Sequence, residues 1–427
     1  MRRNFRVKKL RNEKAHALFC DLYGAENVEE NIKRYESIAD GFEKTFGHKD
    51  FQFFSSPGRT EISGNHTDHN HGKVLTASIQ LDCIAAAAKN DSKMIKIVSE
   101  TFHQTYQIDI EDLSCEETSG TISLLKGILS GFQEKGYSIG GFYAYISSNV
   151  ISSAGVSSSA AFEMLICTII DYFFLQNQLD VVTYAKIGQY AENHYWKKQS
   201  GLLDQMACAT GGLISIDFQD IKNPKVQPVD FNFQDFHYDF IIVNTGKGHA
   251  DLSAQYSSIP NEMKAVAKFF HKEVLREITL QDILENLTSL RKQIGDRAVL
   301  RTLHFLEENE RVTQQILAIQ SKQYDRFIEL IQESGNSSWK WLQNCYVMEN
   351  YQEQSITLTL ALTEIFLNHI KQGACRVHGG GFAGVILAVI PKEFSQKYRD
   401  YIEKEIGKDC TYLLSIRKYG SIHLDLE

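Results

Sequence analysis

Proline is scarce in this 427-residue chain: there are 5, and no stretch reads as a long Gly/Ser linker or an internal repeat. A fibrous or disordered chain is excluded, and 43% hydrophobic with 23% charged residues is the composition of a soluble globular enzyme. Paired cysteines are missing too. The eight, at 20, 83, 115, 167, 208, 345, 375 and 410, form no Cys-x-x-Cys. That argues against a zinc ribbon or a disulfide framework and for reduced thiols. Positive charge is in deficit, with a formal net charge of −8, so nucleic acid is not an expected partner; gripping a phosphate backbone needs a cationic face. The basic start MRRNFRVKKLR runs straight into EKAHALFCDLYGAENVEE and reads as a solvated helix face. No apolar run reaches the roughly 18 residues of a membrane span. The longest, FEMLICTIIDYFFL, carries Glu163 and Asp171 and reads as a buried amphipathic helix. The N-terminus shows no signal-peptide pattern. The expectation is a cytoplasmic monomer with no membrane partner.

Length allows two or three domains at about 150 residues each. Residues 10–47 predict polar helices with one buried stripe. From Phe51 short β-prone runs follow: FQFFSS, IQLDCIAAAA, MIKIVSE and TYQIDI. A helix is predicted over 122–134, then the strand FYAYISS, then a small-residue loop that opens a long apolar helix to about Leu175. Helices near 180–197 and 202–209 precede the strands GLISIDF and DFIIVNTG. Residues 261–370 predict nearly continuous helix, and CRVHGGGFAGVILAVI, a helix near 393–406 and CTYLLSI close the chain. Strands and helices that interleave without strict alternation favour an α+β fold. The segment holding Pro224 and Pro228 places a boundary between Phe218 and Phe240.

Two loops stand out. In SSAGVSSSA, residues 152–160, small residues and three serines sit directly before an apolar helix. A helix N-terminus offers unpaired N–H groups and about half a positive charge, so such a loop suits an anion, though a serine-rich N-cap has the same look. No Gly-x-x-x-x-Gly-Lys-Ser/Thr occurs, so this is not a Walker loop. The second is HGGGFAG, 378–384, where adjacent glycines permit positive φ and close backbone approach. A third stretch, SPGRTEISGNHTDHNHGK, packs His66, Asp68, His69 and His71 together. That density suits a metal, but the order His-x-Asp-His-x-His with no distant His/Cys pair, bracketed by Gly64 and Gly72, fits a gripping loop better.

Taken in order, these motifs resemble those of the GHMP small-molecule kinases. PGRTEISGNHTDHNHG resembles the galactokinase signature Pro-Gly-Arg-x-Asn-x-Ile-Gly-Glu-His-Thr-Asp-Tyr. The serine loop and HGGGFAG resemble the second and third motifs of the wider family. AENHYWKKQSGLLDQMACATGG, NTGKGHADLSAQYSSIPNEM and HFLEENERV match galactokinases in order and spacing. The resemblance implies a two-domain GHMP kinase fold: an N-terminal ribosomal-S5-like α/β domain over 51–230, a C-terminal ferredoxin-like α/β domain over 231–427, and a helical extension over 1–50. It implies ATP and Mg2+ as cofactors and a sugar as substrate, phosphorylated at the anomeric hydroxyl. Arg59 and Asp204 become the catalytic pair. Asn65, His66, Asp68, Gly201 and Tyr256 become sugar contacts. Ser153, Ala154, Gly155, Ser157, Ser158, Ser159 and Lys126 become ATP and phosphate contacts, and Ser159 with Glu192 would place magnesium.

The pattern is broken in three places. Asn65 stands where the signature has Glu, a change that admits a sugar altered at carbon 6, galacturonate for example, beside galactose itself. Thr121 and Leu124 replace the aromatics that help to enclose adenine, although Leu124 can still cover a purine face. Ile151 and Ser153 replace a proline and a glycine of the phosphate loop. His69 and His71 also stand in for the usual Tyr and Gly/Gln. A catalytically silent galactokinase-like sugar sensor is the alternative from another class. Retention of Arg59, Asp204, Glu192 and the serines speaks against it.

Overall fold

The computed structural model describes residues 9–47, 50–114, 119–151, 155–198, 200–231, 235–246 and 252–426. Ser153 and Ala154, expected in the phosphate loop, lie outside them.

Helices α1 (Glu13–Tyr23) and α2 (Val28–Phe46) lead into a sheet built on two long, buried strands, β1 (Gln52–Ser63) and β2 (Lys73–Lys89). β3 (Met94–Ser99), β4 (Gln104–Asp109), helix α3 (Gly120–Glu134) and β5 (Phe142–Ser148) follow. Next come α4 (Ser158–Ile170), α5 (Val181–Tyr190), α6 (Leu203–Thr210), β6 (Leu213–Asp217) and β7 (Lys225–Pro228). β7 falls on the proline-flanked segment that reads from sequence only as an interruption.

The second half begins with β8 (Tyr238–Asn244) and the helical run α7 (Ser253–Phe269), α8 (Leu280–Glu285), α9 (Leu287–Gln293), α10 (Asp296–Gln320), α11 (Tyr324–Ser337) and α12 (Ser355–Ile370). β9 (Ala374–His378), β10 (Val385–Pro391), α13 (Ser395–Ile406), β11 (Thr411–Leu414) and β12 (Ile422–His423) complete it.

The first sheet has the order β12-β1-β2-β5-β3-β4, with β6 and β7 continuing from β2; the second, antiparallel, is β11-β8-β10-β9. This is the mixed α+β architecture that the motifs implied. One face of the first sheet packs on α3, α4 and α5 through residues such as Phe54, Ala85, Leu125 and Met164. The other face, Phe51, Phe53, Ile84, Ala86 and Ala88, is covered by Phe19, Tyr35 and Phe42 of α1 and α2 together with Leu424 and Leu426. The helices over 13–46 thus form a layer on the first sheet. The last residues of the expected 231–427 unit do the same, because β12 pairs with β1 and Ile416 bridges Ile79. Burying the large apolar side chains of that layer is the force that holds both chain ends down, at about 1.5–3 kcal/mol for each one taken fully from water.

Helix α4 and the wider turn after it, Ser158–Leu175, are long and apolar enough to cross a bilayer by length and composition; 61% of that stretch is buried inside the molecule. Glu163 and Asp171 lie within it at 0% and 1% exposure. Gln205 donates to Glu163, and Tyr184 and the backbone of Gln178 and Leu179 donate to Asp171. It packs as a core helix.

Candidate active site

The site is built where β1 breaks register. Its pairing with β2 shifts between Pro57 and Arg59 and again between Glu61 and Ser63. Such irregularities bend a strand and re-aim its side chains, and the first of them also accommodates a proline that cannot donate to the ladder. At the break, Arg59 N–H donates to Val156 O at 3.1 Å, so β1 backs directly onto the serine loop. Gly58 allows the approach, since a Cβ there would lie 2.7 Å from Val156 O.

Arg59 and Asp204, 145 residues apart, meet through Nε and Nη2, each 2.8 Å from Oδ1. Arg59 Nη1 also donates to Gly155 O. The guanidinium therefore links the carboxylate to the phosphate-loop backbone. Its side chain is 7% exposed, whereas that of Asp204 is 34% exposed and open to the cleft. Partial burial pushes the Asp204 carboxyl up, but Arg59 and then Lys198 outweigh it and hold the group below the usual aspartate value. Asp204 is ionised at neutral pH.

Helix α4 starts at Ser158 behind Ser157, which sits in the left-handed region at φ 61°. Ser159 Oγ donates to Glu192 Oε1 at 3.0 Å, and Lys198 Nζ lies 2.8 Å from the same oxygen. Glu192 is carried by the wide turn Ala191–Tyr195 that follows α5. Burial lowers the Lys198 pKa, yet Glu192 and Asp204 raise it overall, so the ammonium stays charged. The motif AENHYWKKQSGLLDQ contains Lys198, but sequence alone marked only its Glu, Gly and Asp. Ser159 and Glu192 are hard oxygen donors, which fits a magnesium ion that takes few protein ligands and the rest from phosphates and water. Among the described residues, no group of three or more His, Cys, Asp or Glu stands together as a metal site.

The sugar-loop residues converge on the three glycines. Asn65 Nδ2 donates to Gly379 O at 2.7 Å, His66 Nε2 to Gly380 O at 2.9 Å and Tyr256 Oη to Gly381 O at 3.1 Å. Successive carbonyls of the glycine run are each taken by one residue of the proposed sugar grip. Gly379 and Gly381 have φ of 68° and 79°; a Cβ on Gly380 would lie 2.4 Å from the Tyr256 ring, and one on Gly381 2.1 Å from Asn344 O. Burial, and after it His69, bring the His66 pKa down to about 3, so His66 is neutral and its Nε2 carries the donated proton. Asp68 Oδ2 lies 2.0 Å from where a Cβ of residue 201 would be, so any side chain at 201 would displace the Asp68 carboxylate.

The loop is anchored from α10, within HFLEENERV. Glu308 Oε1 accepts from Ser63 Oγ at 2.8 Å, Gly64 N at 2.9 Å and Ser334 Oγ at 2.6 Å, and Arg311 pairs with its other oxygen. His304 Nε2 donates to Asn65 O at 2.9 Å. These supports were not singled out from sequence, although their motif was.

Asn65 is buried at 1% exposure, and its amide is fully engaged. Besides Gly379 it donates to Glu61 Oε1 at 2.9 Å, and its oxygen accepts from Asn344 Nδ2 at 2.8 Å. The expectation that the Asn65 amide contacts the sugar at carbon 6 therefore needs correcting, because its nitrogen and oxygen are both taken by protein partners. Glu61 explains the substitution. It occupies the signature position of Asn, so the Asn…Glu pair of the signature appears here as Glu61…Asn65, with both side chains in contact. Arg376 Nη2 lies 2.9 Å from Glu61 Oε1. Burial pushes the Glu61 carboxyl up against the pull of Arg376 and Arg59.

Leu124 also departs from expectation. At 2% exposure it belongs to the core and offers no face to a purine. The aromatic side chains beside the start of α3 include Tyr195, whose Oη donates to Leu113 O at 3.2 Å, and Trp196, whose Nε1 donates to Gly120 O at 2.8 Å. Lys126 Nζ donates to Ser114 O at 2.6 Å.

The fold and this site together define a GHMP-type small-molecule kinase, and comparisons with known proteins agree. The model of the galactokinase galactose-binding signature matches residues 40–89, and that of the GHMP kinases N terminal domain matches residues 123–212. A galactokinase of Clostridium perfringens (strain 13 / Type A) is 30% identical over 384 residues, 86% of this chain and 95% of the relative. One of Clostridium tetani is 29% identical over 385 residues, 88% of this chain and 94% of the relative. The crystal structure of Lactococcus lactis galactokinase complexed with galactose superposes with a TM-score of 0.78 at 25% identity, covering 92% of this chain and 100% of that one. Methanococcus jannaschii mevalonate kinase shares the fold, with a TM-score of 0.61 at 15% identity over 86% of this chain. The chain belongs to the galactokinase family and is a kinase that transfers phosphate to a sugar hydroxyl.

Proposed function

We propose that the phosphate donor is ATP and the acceptor the anomeric hydroxyl of galactose or a close relative, so that the product is a sugar 1-phosphate. The carrying observation is the Arg59–Asp204 pair, held at 2.8 Å against the serine turn at the start of α4. Phosphoryl transfer is mainly a matter of positioning and of neutralising charge. The N-terminus of α4 and the hydroxyls of Ser157 and Ser158 receive phosphate oxygens, and Tyr195 and Trp196 supply the aromatic surface beside the adenine. Magnesium, held through Ser159 and Glu192, would offset phosphate charge. Asp204 orients the anomeric hydroxyl. As that oxygen bonds to phosphorus and the bond to the leaving ADP breaks, the hydroxyl proton passes to Asp204 and on to water. Arg59 keeps Asp204 ionised and offsets charge on the transferred group. His66, Asp68, Gly201 and Tyr256 line the sugar position.

An ADP-release assay with galactose tests this. Asp204→Asn should lower kcat by about a hundredfold or more while leaving the fold intact by circular dichroism. An unchanged kcat would refute the assignment of Asp204.

A further inference from the structure

Beside the sugar loop lies a cavity of about 480 Å³, most of whose lining the proposed reaction does not use. It shares Asp68 and Gly201 with the proposed sugar contacts. Its lining also includes Lys264 and Lys268, four residues apart on α7 and so on one face of that helix, and Lys272 from the turn after it. His69 and His71 complete the basic lining, and these are two of the positions where the loop departs from the signature.

The charges can be apportioned. The lining carboxylates are Asp68, 3.7 Å from His69, and Glu273; Lys272 pairs with Glu277 at 3.3 Å. Lys264 and Lys268 have no ion-pair partner among the described residues. Lys268 alone lies in the last turn of α7, where a cation is explained by the helix dipole; Lys264, one turn earlier and facing the same cavity, is not. Phe218 and Val274 provide apolar wall between the polar groups. Space, unpaired ammonium groups and adjacency to Gly201 all point to a ligand that is anionic and continuous with the sugar.

We infer that this cavity receives an anionic substituent, a carboxylate or phosphate ester, carried by the galactose-like acceptor, and that Lys264 and Lys268 select for it. The inference rests on the sugar-kinase reading above and names its substrate class. It does not depend on Asn65.

The test compares galactose, galacturonate and galactose 6-phosphate as acceptors for the wild-type enzyme and for the double variant Lys264→Gln/Lys268→Gln, at low and high salt. One charged sugar should exceed galactose in kcat/KM. The double variant should raise the KM for that sugar about tenfold, leave the constants for galactose unchanged, and lose the salt dependence. Whichever sugar responds tells carboxylate from phosphate. Galactose preferred by the wild type, with no effect of the lysine changes, would overturn the inference and leave the kinase reading standing. Inorganic phosphate altering galactose kinetics through the lysines, with charged sugars inert, would also overturn it, since the cavity would then serve a free ion. Should no sugar be phosphorylated, the kinase reading fails, and calorimetric binding of the charged sugars, weakened or not by the double variant, still decides the cavity.

Discussion

Arg59 and Asp204 could be picked out from sequence because each sits inside a motif with its own spacing. Glu61 could not, because its meaning appears only when its contact with Asn65 is seen. A carboxylate and an amide have traded places, and the buried site still holds one of each. Two carboxylates there would lie about 3 Å apart, and one would have to take up a proton or leave. We therefore expect Asn65→Glu alone to lower kcat/KM at least tenfold and to lower Tm. Adding Glu61→Asn should recover most of both, with a coupling of about 1–3 kcal/mol in a double-mutant cycle. If the double variant is no better than the single one, the two positions are not a compensated pair. Leu124 teaches the same lesson from the other side. Its place in the motif suggested a purine contact, but its helical phase turns it into the core.

Among the elements, α10 has the broadest reach into the site. Its Glu308 gathers Ser63, Gly64 and Ser334, and its His304 holds the Asn65 carbonyl, so one rigid helix fixes the loop that carries Asn65 and His66. The helical run of the second half was legible from its periodicity, and the strands of the first from their β-branched and aromatic runs. β7 and β12 were not, being four and two residues long and defined by neighbours rather than by pattern. Burial pushes the Glu308 pKa up, but Arg311 and His304 more than reverse it, leaving it well below the ordinary carboxylate range. A depressed carboxylate contributes stability above its unfolded pKa of about 4.3, and that stability is lost as pH falls through the lower folded value. Glu308→Gln should cost about 3–5 kcal/mol in urea unfolding, because Arg311 is left buried without its main partner. It should also flatten the acid limb of stability against pH; an acid limb like that of the wild type would show that other groups control it.

Across the whole molecule, one carboxylate joins both chain ends to the sheet. Asp82, fully buried, accepts from Tyr23 Oη at 2.6 Å, Arg34 Nη1 at 2.9 Å and Arg417 Nη1 at 3.0 Å, with Ser55 completing its shell. Arg417 is itself 0% exposed. Asp82→Ala should therefore destabilise the chain by about 3–5 kcal/mol, by stranding Arg417 in the interior. Tyr23→Phe, which removes the hydroxyl's hydrogen bonds to Asp82 and Tyr35, should cost about 1–3 kcal/mol. Equal effects of the two on urea midpoints would show that Asp82 is not the shared anchor.

The return of β12 to the edge of β1 carries a consequence for synthesis. The strand that closes the first sheet and Arg417, one of the two guanidinium groups paired with Asp82, are synthesised 335 or more residues after Asp82 itself. Until they are made, the earlier half holds an open strand edge and a buried carboxylate that lacks one of its two guanidinium partners. The half that carries Arg59 and Asp204 cannot finish folding until that later segment has been made.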